Sequence, residues 1–352
     1  MMTGLRATVV LISVVCGIWQ ADGAVTFQED PVVWAISWQT NNPVWRGIHL
    51  GLHNDEQAGA LIQQLSKLSK LGVNAVVIEV NYSFDYQSHP EIRPNQFITK
   101  ARARELVKAA RDQGINVIPQ INCLGHQSWS RNTGELLKHY PQFDETPAQY
   151  PENKGIYCRS WCSQNPEVNK VVFALIDELA DAFEANAFHA GMDEVFIIGS
   201  EYCPRCKGND PGKLFAKAVN DLHHHIVKER NMDMLIWGDR LLNAKELHYS
   251  LWEAATNRTE SAVELIPKDI IICDWHYGQK TNYASVPFLL DKGFRVWPSG
   301  WQSLEATKSF SAYSRQQKNP RMLGYLCTTW GKVQAQNLAE WPPIAEVIPE
   351  WK

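Results

Sequence analysis

Eight short apolar runs, each parted from the next by a longer stretch, constrain this chain more than any other feature. They are Trp45 to Leu50, Asn74 to Val80, Ile115 to Ile121, Ala187 to Met192, Met234 to Trp237, Ile270 to Trp275, Phe294 to Trp297 and Leu323 to Thr328. Near-continuous apolar character over so few residues is what a strand covered on both faces requires. Helical periodicity fills the gaps. Asp55 to Leu71 opens on acidic residues and repeats Leu61, Leu65 and Leu68, and Ala101 to Arg111 continues through Leu106, Val107 and Ala110. Val168 to Phe183, Leu214 to Arg230, Tyr283 to Asp291 and Leu304 to Gln317 follow in the same way. Strands that alternate with helices pair in parallel, because each helix carries the chain back to the starting edge. Eight such units with no second cluster of strands predict an α/β fold, a single (β/α)8 TIM barrel over residues 45–352.

Residues 1–23 read as a secretory signal peptide: Arg6 is positive, Ala7 to Trp19 is apolar, and Ala21-Asp22-Gly23 places small residues at the cleavage positions. Export to a periplasmic or extracellular space is the expectation, with residues 24–44 as a lead-in and no stable membrane span after cleavage. The 34 basic and 38 acidic residues are interspersed, which excludes the electrostatic footprint of a nucleic-acid binder. No G-x-G-x-x-G follows the first strand and no G-x-x-x-x-G-K-[ST] occurs, so nucleotide phosphates lack a cradle.

Chemistry concentrates at His189-Ala-Gly-Met-Asp193-Glu194, at the end of the fourth run. Strand alternation gives His189, Gly191 and Asp193 one facing, and Glu194 emerges where strand gives way to loop, so two carboxylates reach the barrel rim together. Paired carboxylates in different environments divide into a proton donor and a charge stabiliser. By themselves an Asp and a Glu side by side also suit a helix start or a metal site. The long irregular stretch Asn122 to Pro166 follows the third run and belongs to the same, C-terminal, face of the barrel. Three consecutive histidines, His223 to His225, fall in a helical stretch, where their side chains diverge and cannot share one ion.

The segment from His189 to Glu194 resembles the H-x-G-x-D-E signature of glycoside hydrolase family 20, the β-N-acetylhexosaminidases. Other stretches agree in order: Trp45-Arg46-Gly47-Ile48, Ile118 to His126, Ile236-Trp237-Gly238-Asp239, Asp274-Trp275 and Trp330-Gly331. The resemblance spans about residues 45 to 331 and is nearest to the barrel-only hexosaminidase D type. It implies a retaining exo-β-N-acetylhexosaminidase, acting on a terminal N-acetylglucosamine or N-acetylgalactosamine of an amino-sugar glycan or glycoconjugate. It implies substrate-assisted catalysis, with Glu194 as acid and base and Asp193 orienting the 2-acetamido group. Arg46 would grip sugar hydroxyls; Trp237, Trp275, Trp301 and Trp330 would wall the pocket; Tyr277 would reach the acetamido oxygen; His126 and His189 would orient or bind. Neither an organic cofactor nor a catalytic metal is implied.

The sequence departs from the family pattern in three places. Gln120 and Asn122 stand where acidic residues are common, Lys332 replaces a Glu, and Gly300-Trp301-Gln302-Ser303 replaces a Trp-Tyr-x-Asp run. These departures keep two alternatives open, a glycan-binding barrel without turnover and a glycosidase of different sugar specificity. Cys158, Cys162, Cys203 and Cys206 form two close-spaced pairs in loop-like sequence, which predicts disulfides in an oxidising compartment or, alternatively, a structural zinc. Cys123, Cys273 and Cys327 sit in apolar runs and read as inert buried thiols.

Overall fold

The computed structural model describes residues 30–352, so the signal-peptide reading of residues 1–23 lies outside the described residues. Nine parallel strands form one sheet: β1 (Trp45–Gly51), β2 (Ala75–Glu79), β3 (Asn116–Cys123), β4 (Ala187–Gly191), β5 (Asp233–Trp237), β6 (Ile271–Cys273), β7 (Arg295–Val296), β8 (Ser299–Gly300) and β9 (Gly324–Thr328). β7 lies in the seventh run and β8 follows just after it, the two parted at Pro298, which has no N–H to give to a ladder. The sheet closes there. Trp297 N donates to Ile272 O at 2.9 Å on one side, and Leu326 N donates to Pro298 O at 2.9 Å on the other. The expected (β/α)8 barrel is therefore the observed architecture.

The helices wrap the outside as the periodicity predicts. Among them are α2 (Asp55–Leu71), α3 (Lys100–Arg111), α4 (Pro166–Ala182), α5 (Pro211–His223), α6 (Ser285–Asp291) and α7 (Leu304–Gln316), while α1 (Pro31–Asn41) precedes the first strand. α2 starts because Asn54 accepts the Gln57 N–H at 2.9 Å and ends at Gly72, which adopts φ +105°. Its face of Ala58, Leu61, Leu65 and Leu68 is buried against the sheet. Each such leucine contributes roughly 2 kcal/mol through burial, so Leu65→Ala removes that and leaves a cavity.

Inside the barrel lies a second, aromatic-rich core that includes Trp45, Val77, Ile118, Leu235, Trp237 and Trp297. Trp297 fills the space beside Gly47, where a Cβ would fall 2.1 Å from the indole. α1 was not expected within the lead-in; it closes the N-terminal end of the barrel. Trp38 packs into the interior at a tilt against Trp45, ring centroids 5.4 Å apart, and donates its indole N–H toward Asn74 O at 3.1 Å. At the other end, the long stretch after β3 is organised by buried Arg159, which pairs with Asp144 and donates to Gln149 O and Tyr150 O at 2.7 and 2.8 Å. The three consecutive histidines diverge as their helical placement requires: His223 pairs with Asp269 at 2.7 Å and His225 with Asp177 at 2.8 Å, while His224 is exposed.

Candidate active site

The C-terminal ends of the strands gather the polar side chains. After β4 the chain turns through left-handed conformations at Met192 (φ +75°) and Glu194 (φ +49°). Non-glycine residues held there cost roughly 1–3 kcal/mol each, a strain that persists only where the surroundings fix it. Here the surroundings are specific. Gly125, after β3, lies so close to Asp193 that a Cβ would meet its carbonyl oxygen at 2.7 Å. That approach brings His126, itself at φ +55°, against both carboxylates. Its Nε2 is 3.1 Å from Asp193 Oδ2 and 3.2 Å from Glu194 Oε2. The other oxygen of Asp193, Oδ1, is buried and has no hydrogen-bond partner.

Asp239, just past β5, fixes the turn from below. Its Oδ2 accepts the Glu194 N–H at 2.9 Å and the Arg240 Nε–H at 2.6 Å, and its Oδ1 accepts the Trp275 indole N–H at 3.3 Å. Burial pushes the Asp239 carboxyl up to about 6; the Arg240 charge opposes this and the nearby Asp193 and Glu194 reinforce it. For His126, burial favours the neutral ring, but the Asp193 charge and the hydrogen bonds to Asp193 and Glu194 outweigh it and hold the imidazole well above its ordinary value. The site thus sets one imidazole against two carboxylates.

Aromatic rings wall the space beside this pair. Trp275 stacks on Tyr277 with centroids 4.9 Å apart, Tyr277 tilts against Trp301 at 5.2 Å, and Trp330 donates its indole N–H to the Tyr277 hydroxyl at 2.6 Å. From the long loop, Tyr157 closes the opposite side; burial, then the Glu194 charge, raises its hydroxyl above the usual range. A groove of about 820 Å³ passes His53, Glu79, Trp129, Trp330 and Gln334, beside the carboxylates rather than over them. A smaller hollow of about 280 Å³, between Tyr157, Phe196 and Trp252, flanks the other side.

A pair of carboxylates at the mouth of a barrel, both within reach of one histidine, can donate a proton and stabilise positive charge within an aromatic enclosure. A family model for the glycosyl hydrolase family 20 catalytic domain matches residues 46–340. The chain belongs to this family. Among similar proteins is the lacto-N-biosidase of Bifidobacterium bifidum, 27% identical over 198 residues that make up 52% of this chain and 16% of that protein. A β-hexosaminidase of Vibrio furnissii is 24% identical over 64% of this chain and 34% of its own length. This chain therefore spans well under half of these relatives. Its fold is similar to the Flavobacterium johnsoniae chitobiase structure, with a TM-score of 0.63 and 19% identity over 87% of this chain and 48% of that one. The family 20 β-N-acetylhexosaminidase structure from Streptomyces coelicolor gives 0.60 at 12% identity, over 87% of this chain and 64% of that one.

Within this family 20 barrel, Asp193, Glu194, His126, Trp275, Tyr277, Trp301 and Trp330 come together at one mouth. Arg46 does not. It sits at the N-terminal end of β1, where its Nε–H donates to Gly72 O, and the length of the barrel separates it from Asp193. The expectation that it grips the sugar is corrected: position along the strand, not its place in a motif, decides which end a side chain serves. His189 and Trp237 need a similar correction. Both are fully buried, with ring centroids 4.5 Å apart, and form the floor beneath the pocket, where a sugar cannot touch them. Burial, with His49 nearby, keeps His189 neutral.

Sequence reasoning passed over Glu79. At the end of β2, it accepts hydrogen bonds from Asn81 at 2.8 Å, Asn122 at 3.3 Å and Gln120 at 3.4 Å. Gln120 and Asn122, which lack the charge common at their positions, instead serve as donors to a carboxylate from the neighbouring strand. An isolated Glu closing the apolar run Val76 to Ile78 was the available signal. His49, buried beneath Trp330 at 4.5 Å, is 3.5 Å from the same carboxylate.

The four loop cysteines divide. Cys158 donates its thiol to Glu194 O at 3.4 Å, whereas Cys162, Cys203 and Cys206 cluster with Glu145. No disulfide joins cysteines among the described residues. Among the described residues, two groups have ligand-type atoms within 4.8 Å of one another: Glu145 with the three cysteines, and His126 with Asp193 and Glu194.

Proposed function

We propose that this chain is a retaining exo-β-N-acetylhexosaminidase that removes terminal N-acetylglucosamine or N-acetylgalactosamine by substrate-assisted catalysis. The observation that carries the reading is the division of labour within Asp193: Oδ2 is held by His126, while the buried Oδ1 has no protein partner. A buried carboxylate oxygen left without a partner is costly, and an incoming amide N–H relieves that cost. The 2-acetamido group of the sugar supplies that donor. With its N–H on Asp193, its carbonyl oxygen attacks the anomeric carbon as the glycosidic C–O bond breaks, and Glu194 delivers a proton to the departing oxygen. Water then adds at the anomeric carbon, giving its proton to Glu194, and the amide carbonyl is released.

Trp275, Tyr277, Trp301 and Trp330 would enclose the sugar, their rings excluding water and favouring the flat, partly positive ring of the transition state. The Tyr277 hydroxyl, oriented by the Trp330 N–H, is the donor toward the acetamido oxygen. Trp129 and Trp252, exposed on the same rim, offer stacking surfaces for the rest of a glycan. Export to a periplasmic or extracellular space fits such a substrate; among the described residues no helix is long and apolar enough to cross a membrane.

Chromogenic N-acetylglucosaminide, N-acetylgalactosaminide and unacetylated glucoside substrates test the proposal. Hydrolysis of the acetamido sugars alone, with the β-anomer as first product by proton NMR, is expected. Turnover of only the unacetylated sugar, or an α-anomeric first product, overturns it.

A further inference from the structure

The cysteine cluster outside the catalytic mouth has the chemistry of a metal centre. Cys162, in the long loop after β3, has its sulfur 3.4 Å from that of Cys206 and 3.4 Å from that of Cys203, and all three side chains are buried. Glu145, from the same long loop, completes the group. It is fully buried; its Oε1 accepts the Ser200 N–H at 2.9 Å, but Oε2, turned into the cysteines, has no hydrogen-bond partner.

A disulfide answers this arrangement poorly. Sulfurs joined in a disulfide lie about 2 Å apart, and only one pair could form, which would leave the third thiol and the orphaned carboxylate oxygen buried together. Around a tetrahedral zinc with Zn–S near 2.3 Å, neighbouring sulfurs stand roughly 3.8 Å apart, close to the separations found here. Three thiolates and one carboxylate are a zinc-type donor set, and with every position taken by protein the ion has no open site for chemistry.

We propose that Glu145, Cys162, Cys203 and Cys206 bind a structural zinc ion that ties the long loop after β3 to the loop following the catalytic pair. The consequence reaches the active site through both loops. Cys203 follows Glu194 by nine residues, and the long loop carries Tyr157 and Cys158, the latter bonded to Glu194 O. Zinc would therefore hold in place two segments that frame Glu194, whose left-handed conformation needs support. Binding displaces the thiol protons to solvent, so affinity rises with pH. Cys158 takes no part, which separates this site from the four-cysteine pairing the sequence suggests.

Elemental analysis of the full chain, produced with zinc in the medium and purified without reductant, is the test. About one zinc per chain is expected, released when a mercurial titrates the thiols, and cobalt exchange should give thiolate-to-metal charge-transfer absorption. Cys206→Ser and Glu145→Gln should bind zinc at least tenfold more weakly, while Cys158→Ser should retain it. Should the cysteine variant fail to fold, the milder Glu145→Gln still decides. A positioning role further predicts that Glu145→Gln lowers kcat more than it raises KM, with activity recovering as zinc is added. A Cys162 disulfide in the purified protein, or reduced protein that takes up no zinc and whose three thiols all react freely, would overturn the proposal.

Discussion

His126 and Asp193, each just past one of two neighbouring strands, meet tip to tip at the barrel mouth, Nε2 to Oδ2 at 3.1 Å, although 67 residues separate them in sequence. Against its burial, the Asp193 charge and the hydrogen bonds to Asp193 and Glu194 hold the imidazole above its ordinary value, so the contact is an ion pair wherever the ring is protonated. A histidine whose value rises on folding contributes stability that is fully present below its unfolded value, about 6.5, and is lost as pH climbs through the raised one. We expect His126→Ala to lower kcat by roughly 10- to 100-fold, the worth of a charge-assisted hydrogen bond. It should also remove part of the alkaline fall in stability. Urea unfolding of both proteins across neutral to alkaline pH measures this; an unchanged difference at every pH counts against the ion pair.

Asp193→Asn keeps the shape of the side chain and loses its charge. Since positive charge grows during attack by the acetamido oxygen, kcat should fall more than substrate binding weakens. A cyclic thiazoline analogue of the intermediate should lose more affinity than the product sugar. Calorimetric titration of both ligands, with thermal unfolding as control, separates this from a merely structural role, for which the two affinities fall equally and stability drops.

Glu194→Gln removes the titrating proton at nearly constant size. With a poor leaving group a loss of roughly 10²- to 10⁴-fold is expected, and a leaving group that departs unprotonated should be affected less in the bond-breaking step. Single-turnover rates over a series of aryl glycosides give the comparison. A uniform loss across that series, with binding intact, would remove Glu194 from the role of acid.

Asp239 is the prediction about the fold itself. Arg240 is fully buried, and Asp239 accepts both its Nε–H and the Glu194 N–H, so Asp239→Ala, which removes both acceptors and leaves the guanidinium unpartnered, should destabilise by about 3 kcal/mol. Asp239 is raised to about 6, so the folded state binds more protons than the unfolded one between the ordinary carboxylate range and that value. Its contribution to stability therefore declines as pH rises through this window. The variant should lack that slope in denaturant midpoints measured from pH 4 to pH 7; a slope that persists unchanged belongs to other groups.

The strands and most helices were legible because their signals are local. Apolar runs such as Asn74 to Val80 and the leucine spacing of Asp55 to Leu71 reflect burial that each segment needs wherever it packs. α1 escaped notice because Val32, Val33 and Ile36 remain exposed in it while only Trp38 is buried, so its pattern carries no single apolar face. Arg46 was misplaced for a related reason: its motif neighbours are correct, but the side chain sits at the start of a strand, at the closed end of the barrel.

The sequence by itself determined the barrel, by alternating strands and helices, and the carboxylate pair at its mouth, by setting Asp193 and Glu194 at a strand end. Tertiary structure decided everything that depends on chain segments distant in sequence. Parallel pairing of neighbouring strands brought His126 onto Asp193, Asp239 under Glu194 and Glu79 beside Gln120 and Asn122. Folding of two loops grouped Glu145 with Cys162, Cys203 and Cys206 and left Cys158 outside. Periodicity records which face of a segment is buried. Which charged or sulfur-bearing side chains share a burial site depends on how the loops pack together, and no repeat along the chain encodes that.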